Sequence, residues 1–401
     1  MSKMSVVNVV GPLAAYAPRF GHELKDSGYT DLSVAGQLRL MAHVSRWLDR
    51  EGIEVTALTP ERIEAFCTAR RAEGYTNLRT PRAIRPLQEF LQSQGVLPPP
   101  QVPQPESAQE RLLERYRSYL VSERGLVEQG VSRWVQTAER FLADHPGLAN
   151  GTAELGAAEV STFCARELPP RAGSSAKNLA AALRSFLRFL HVEGLIETPL
   201  VQAVPPVAGT KGAGLPRAVP SAALTALLAS CDRRTAIGRR DYAIMVLLAR
   251  LGLRAGEVAR LSLDDVDWRS GELLVHGKGG SNQRLPLPHD VGAAMAGYLE
   301  RGRPHADARA VFLRAIAPAV GLTGGAVTQV VYAACERAEV PKVGAHRLRH
   351  SCATEMLGAG ASLVEIGQVL RHAAVGTTAI YAKVDFVALR PLAQPWPGGV
   401  A

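Results

Sequence analysis

The chain's 401 residues are enough for two or three domains, each with its own buried core. Apolar residues make up 47% and charged residues 21%, a balance that excludes an intrinsically disordered chain. The formal net charge of +9 favours a polyanionic partner, nucleic acid first, through counterion release, although a basic balance also suits proteins that never touch DNA.

From the N-terminus, the apolar stretch 6–15 is interrupted by Asn8 and Pro12 and preceded only by Lys3, a poor match to an export signal. Five scattered cysteines (Cys67, Cys164, Cys231, Cys335, Cys352) form no CxxC pair and read as small core residues in a reducing compartment. A cytoplasmic protein without a membrane anchor is therefore expected. Two breaks divide the chain, the proline-rich Pro98 to Pro105 and the Pro/Gly-rich Pro205 to Pro220, so three domains are expected at 1–97, 108–204 and 213–393.

The first two segments share a pattern. An apolar helical stripe ending at Trp47-Leu48 answers one ending at Phe141-Leu142, and Ile63-Glu64-Ala65-Phe66-Cys67 recurs as Val160-Ser161-Thr162-Phe163-Cys164. Leu87-Gln88-Glu89-Phe90-Leu91 ahead of Gly95 likewise recurs as Phe186-Leu187-Arg188-Phe189-Leu190 ahead of Gly194. Both segments read as small helical bundles, either duplicates or two amphipathic domains built to one grammar.

The third segment is mixed. A helix is expected from about Asp241 to Leu251, stopped at Gly252, with another beginning near Ala255. Residues 272–275 and 283–287 read as the strands of a hairpin whose tip is Gly277-Lys278-Gly279-Gly280-Ser281. The uncharged run from Ala315 to Cys335 has spanning length but contains Pro318, Gly321, Gly324, Gly325 and Gln329, so it reads as a loop followed by a helix of a soluble domain. Helical periodicity returns through Ala353-Met356-Leu357 and Leu363-Ile366-Val369-Leu370.

Cleaving a phosphodiester without metal requires a nucleophile, positive charge on the non-bridging oxygens and a proton donor for the leaving oxygen. This segment supplies candidates for each. Arg254 lies in Leu253-Arg254-Ala255-Gly256-Glu257, and Arg349 follows His346 by three residues, on a neighbouring position of one helix face. Two guanidinium forks can clamp a phosphate. Taken singly, Arg254 with Glu257 is a surface ion pair, Lys278 a solvated turn residue and Tyr381 one of nine tyrosines. His346 and His350 have the spacing of a metal pair but lack the intervening Glu of zinc hydrolases, and the hairpin tip lacks P-loop spacing, so neither metal nor cofactor is expected.

Taken in order, Arg254, Lys278, His346-x-x-Arg349, His372 and Tyr381 resemble the tyrosine recombinases, also called the phage integrase family. The words around them match too: Leu251-Gly252-Leu253-Arg254-Ala255-Gly256-Glu257 resembles the first family box. His346-Arg347-Leu348-Arg349-His350-Ser351 with Leu370-Arg371-His372 and Thr377-Thr378-Ala379-Ile380-Tyr381 resembles the second. The resemblance covers about Leu224 to Val384 and implies a mainly α fold with a small β-hairpin, in which helical N-terminal domains precede an α+β catalytic domain.

It further implies a site-specific recombinase of integrase or transposase type, in which Tyr381 attacks DNA to give a 3′-phosphotyrosyl intermediate that conserves bond energy without ATP. Lys278 would protonate the 5′ oxygen, Arg254 and Arg349 hold the phosphate, His346 assist Tyr381, His372 hydrogen-bond the phosphate, and Glu257 orient Arg254. The middle domain would close with the catalytic domain around duplex DNA, with Arg133, Arg171, Lys177, Arg184 and Arg188 as candidate phosphate contacts, any of which is equally a solvated helix charge. A homotetramer, or a hetero-oligomer with related recombinases, on synapsed DNA in the nucleoid is implied. A topoisomerase of type IB, sharing the chemistry, is the alternative, and a catalytically silent DNA-binding module the third reading.

The chain departs from the family pattern at Arg371, where many members have Gly before the histidine, which implies an altered turn or an added DNA contact. The prolines at 391, 395 and 397 argue against a long exchanged C-terminal helix.

Overall fold

The computed structural model describes residues 7–99, 105–124, 126, 128–150, 154–171, 173–207, 218–277, 282–371, 378 and 381. The expected roles of Lys278 and His372, and the tail beyond Tyr381, fall outside the described residues. The chain divides into one unit of residues 1–99 with 214–401 and a second of residues 100–213.

The first unit begins with four helices, α1 (Ala17–Asp26), α2 (Asp31–Arg50), α3 (Pro60–Ala72) and α4 (Pro81–Ser93). Thr30 and Thr59 cap α2 and α3 by accepting backbone N–H bonds that the first helical turn leaves free, and Pro60 and Pro81 open their helices where no N–H is needed. The rings of Trp47 and Phe66 meet edge to face at 5.6 Å and those of Phe20 and Phe90 lie 5.1 Å apart, forming the centre of this bundle's core. After α4 the chain turns at Gly95, φ +70°, and Val96 N–H donates to Leu91 O. A backbone bond from Ala319 N–H to Ser27 O joins the bundle to the rest of its unit.

The second unit holds α5 (Ala108–Ser122), α6 (Glu128–Asp144), α7 (Ala157–Glu167) and α8 (Gly173–Val192). Ser107 and Glu110 cap α5 reciprocally. Phe141 meets Phe163 edge to face at 5.1 Å, Tyr116 lies 5.1 Å from Phe189, and the chain leaves α8 at Gly194, φ +72°, with Leu195 N–H donating to Leu190 O.

The remainder of the first unit is built around α10 (Ala236–Arg250), which follows α9 (Ser221–Ala229) and is buried from Ala243 through Ala249, apolar on every side. α10 starts five residues before the expected Asp241 because Thr235 Oγ1 accepts from Gly238 N–H and caps it there. α11 (Ala255–Arg260) leads to the antiparallel sheet β1 (Val266–Asp267), β2 (Glu272–His276) and β3 (Asn282–Pro286), paired in that order. The expected hairpin is β2–β3, with His276 opposite Asn282 at the last described pair before the tip. α12 (His289–Arg301), α13 (Gly324–Arg337), α14 (Ala345–Gly358) and α15 (Leu363–Val369) complete the unit. The long uncharged run does become loop followed by helix, α13 being capped by Thr323. Among the described residues no helix is long and apolar enough to cross a membrane.

Candidate active site

The turn between α10 and α11 carries the first arginine. Gly252, φ +57°, reverses the chain, and a Cβ there would lie 2.5 Å from Leu370 Cδ2, so the turn needs glycine for both conformation and space. Arg254 follows as the residue capping α11. Glu257 reaches back: its Oε2 accepts from Arg254 N–H at 2.8 Å and its Oε1 from the Arg254 guanidinium at 2.6 Å. Glu257 is 2% exposed, and although burial pushes its carboxyl upward, the Arg254 N–H bond and the charges of Arg371 and Arg254 hold it below the ordinary value.

α14 supplies the second arginine. Arg349, 1% exposed, donates to the backbone carbonyls of Gly252 and Leu370, which stitches the α10–α11 turn to the end of α15. Burial first, then the like charges of Arg254 and Arg371, lower its guanidinium to about 10. On the same helix His346 and His350 pack edge to face with ring centres 4.4 Å apart. His350 Nδ1 lies 2.7 Å from the Tyr381 hydroxyl. Tyr381 is 1% exposed among Ala353, Ile366 and Leu370, and burial pushes its phenol up to about 12.

The structure thus brings Arg254, Glu257, His346, Arg349 and Tyr381 together. The phenol hydrogen-bonds with His350, which the spacing had marked only as half of an unsupported metal pair. Desolvation, with His346, Arg349 and Arg347 nearby, lowers His350 to about 4, so it is a neutral imidazole at physiological pH. The available signal was its position one helical turn after His346 and next to Arg349.

The side chain of Arg371 proves to be buried. It has φ +55°, the left-handed conformation that glycine adopts without cost, and its side chain, 6% exposed, donates to Glu257 Oε2 at 2.9 Å and to Val369 O at 2.8 Å. Its own carbonyl accepts from the Arg254 guanidinium at 3.4 Å. Its guanidinium is turned inward onto Glu257 rather than outward to a DNA contact, while its backbone holds the conformation that glycine would adopt. The base of the hairpin is anchored beside this cluster: His276 lies 2.8 Å from both Asp265 Oδ1 and Asn282 Oδ1, and Gln283 Nε2 donates to Gln368 O at 3.4 Å.

In the second unit Arg133, Lys177 and Arg188 are exposed, whereas Arg171 pairs with Glu167 at 2.8 Å and Arg184 donates to the carbonyls of Val204 and Pro205 at 3.0 and 2.9 Å.

Residues 218–387 match the phage integrase family. The chain is 41% identical to a putative integrase/recombinase y4rA of Sinorhizobium fredii over 97% of its own length and 95% of that protein's. It is 32% identical to the tyrosine recombinase XerD of Mycobacterium tuberculosis, covering 71% of this chain and 96% of that one. In fold it resembles the XerH site-specific recombinase in a post-cleavage complex with a palindromic difH substrate (TM-score 0.54, 18% identity, 74% and 99% covered). It also resembles a lambda integrase dimer bound to a COC′ core site (TM-score 0.52, 16% identity, 68% and 94% covered). These similarities favour recombination over the topoisomerase alternative. The chain belongs to the phage integrase family and is a tyrosine-type site-specific DNA recombinase.

Proposed function

We propose that the chain cuts and rejoins duplex DNA at specific sites through a 3′-phosphotyrosyl bond on Tyr381, without metal or ATP. The observation that carries this assignment is the 2.7 Å approach of His350 Nδ1 to the Tyr381 hydroxyl, beside two arginines anchored by Glu257 and the turn at Gly252. With the His350 proton on Nε2, Nδ1 accepts the phenolic proton as the oxygen attacks phosphorus. Arg254 and Arg349 face the negative charge that develops on the non-bridging oxygens, and His346, one turn along, completes this side of the site. Because Tyr381 is buried and Arg349 is committed to carbonyls, cleavage requires DNA to draw both toward the phosphate. Lys278 as the acid to the 5′ oxygen and His372 as a phosphate ligand rest on the resemblance alone.

We further read residues 1–97 as a duplicate of the core-binding domain at 108–204. In support, Trp47–Phe66 matches Phe141–Phe163, Phe20–Phe90 matches Tyr116–Phe189, and Gly95 and Gly194 end their bundles with the same turn. In this reading the second unit grips the duplex with exposed Arg133, Lys177 and Arg188, the active assembly is a tetramer on paired sites, and the protein resides with the nucleoid. Integration is the biological role that suits the name of the Sinorhizobium fredii relative, and transposition uses the same chemistry.

A duplex bearing the true site and a bridging phosphorothiolate at the cut should trap a covalent complex, and Tyr381→Phe should abolish it. Trapping by the Phe variant would assign the nucleophile elsewhere. Strand-exchanged products, rather than topoisomers alone, distinguish recombination from relaxation.

A further inference from the structure

The N-terminal bundle holds a charged cleft that the chemistry of strand exchange does not use. It has a volume of about 220 Å³ and lies between α2 and α3, lined by His43, Arg46, Arg50, Arg70, Glu73 and Tyr75, with Trp47 and Phe66 forming its apolar wall. Three arginines face one carboxylate.

Arg70 is the unusual member. It is 7% exposed, its guanidinium lies over the Tyr75 ring at 3.9 Å, and its Nε is buried without a hydrogen-bond partner among the described residues. An arginine buried in this way is ordinarily held by a carboxylate, because removing a guanidinium from water without an anion is strongly unfavourable. Among the described residues, opposite charge stands at the rim, where Arg50 lies 3.3 Å from Glu51 and 3.9 Å from Glu73. Burial, then the charges of Arg70 and Arg46, lowers His43, and Glu73 opposes the shift.

The second unit offers an internal control. In the register that pairs Trp47 with Phe141 and Phe66 with Phe163, Arg46 corresponds to Arg140, Arg50 to Asp144 and Arg70 to Glu167. There the corresponding positions are ion-paired: Glu167 pairs with Arg140, Arg166 and Arg171 at 3.7, 3.2 and 2.8 Å, and Asp144 pairs with Arg166 at 2.5 Å. The position that holds an ion-paired Glu167 in one bundle holds Arg70 in the other, whose buried Nε has no hydrogen-bond partner among the described residues.

We propose that this cleft is a phosphate-binding site, with Arg70 as its buried anchor and Arg46 and Arg50 as the outer clamp. Guanidinium forks suit the tetrahedral oxygens of a phosphate, and the Tyr75 ring holds Arg70 flat for that contact. The cleft is smaller than the roughly 300–1,000 Å³ of sites for drug-sized ligands, so it admits a phosphoryl group and little more. The phosphate is that of a nucleic-acid backbone or of a small phosphorylated compound.

Two measurements on the full chain separate these sources. With inorganic phosphate replacing chloride at constant ionic strength, the melting temperature of the native protein should rise on the order of 2 °C once phosphate exceeds its Kd tenfold. Arg70→Gln and the surface pair Arg46→Gln/Arg50→Gln should each lose that rise, the pair serving where Arg70→Gln folds poorly. Any phosphate held at the catalytic arginines stabilises all three proteins alike and cancels in the comparison. A rise retained in full by both variants overturns the proposal. For a duplex longer than the recombination site, the slope of log affinity against log salt should fall by about two in the Arg46/Arg50 variant if the ligand is DNA. An unchanged slope alongside a lost phosphate response identifies a small phosphorylated ligand in the same cleft.

Discussion

Arg371 donates to Glu257 Oε2 at 2.9 Å while Arg254 donates to Oε1 of the same carboxylate at 2.6 Å, so one buried acid holds two cations that are 117 residues apart in sequence. Glu257→Gln removes the charge that both guanidiniums share and leaves them facing each other uncompensated. Breaking a buried pair from one side costs about 3–5 kcal/mol. Loss of a supporting partner of this kind lowers activity about 10–100-fold at metal sites, and a similar fall in single-turnover cleavage is expected here. A Gln variant that melts and cleaves like the native protein would remove Glu257 from the site's framework.

The backbone at Arg371 separates strain from charge. A non-glycine residue at φ +55° costs roughly 1–2 kcal/mol, which the ion pair with Glu257 offsets. Arg371→Gly loses the pair but relieves the backbone, whereas Arg371→Ala loses the pair and keeps the strain. The Gly variant should therefore melt higher than the Ala variant by roughly 1 kcal/mol of stability. Both should shift the acid limb of the cleavage profile to higher pH, because Arg371 and Arg254 together hold the Glu257 carboxyl down and only Arg254 remains; Arg349, His346 and Tyr381 also face this cluster. Equal melting of the two variants would mean that φ is not strained in solution.

Part of the site's geometry was legible because it sits in short words of sequence. Arg254 with Glu257, and His346 with Arg349, are each one helical turn apart, so spacing alone places them together. The role of His350 was not legible, since its partner lies 31 residues away and only the packing of α15 against α14 brings Tyr381 to it. Arg371 was read as a departure but not as a buried one, because nothing local announces that a guanidinium will turn inward to a carboxylate 114 residues earlier. The start of α10 was misjudged because the apolar pattern begins after the cap: Thr235, not the first buried residue, sets the end.

Gly252 offers a test of the frame without touching a reacting group. Its carbonyl receives Arg349, its φ is +57°, and an added methyl meets Leu370. Gly252→Ala should destabilise the protein by more than about 1 kcal/mol and reduce cleavage more than DNA affinity, since the turn places both arginines. Thermal melting and a gel-shift assay beside the cleavage assay check this. A selective loss of binding would show instead that the turn contacts DNA.

His350 and Tyr381 set the pH dependence. With its phenol near 12, Tyr381 is ionised in only about one molecule in 10⁴ at pH 8, so the attack proposed for it needs a base. His350, near 4 in the fold and about 6.5 when unfolded, is the base proposed for it and is neutral across the physiological range. As pH falls below 6.5 the unfolded chain binds the proton first. The stability this group contributes is therefore complete above 6.5 and declines toward pH 4. Imidazole NMR should find His350 still neutral at pH 5.5, and native cleavage should be level from pH 7 to 9. His350→Ala should lose about 10²–10⁴-fold at pH 7 and then gain about tenfold per pH unit, as solvent takes over removal of the phenolic proton. A variant whose rate is as level as the native rate would show that the 2.7 Å contact positions Tyr381 but does not take its proton.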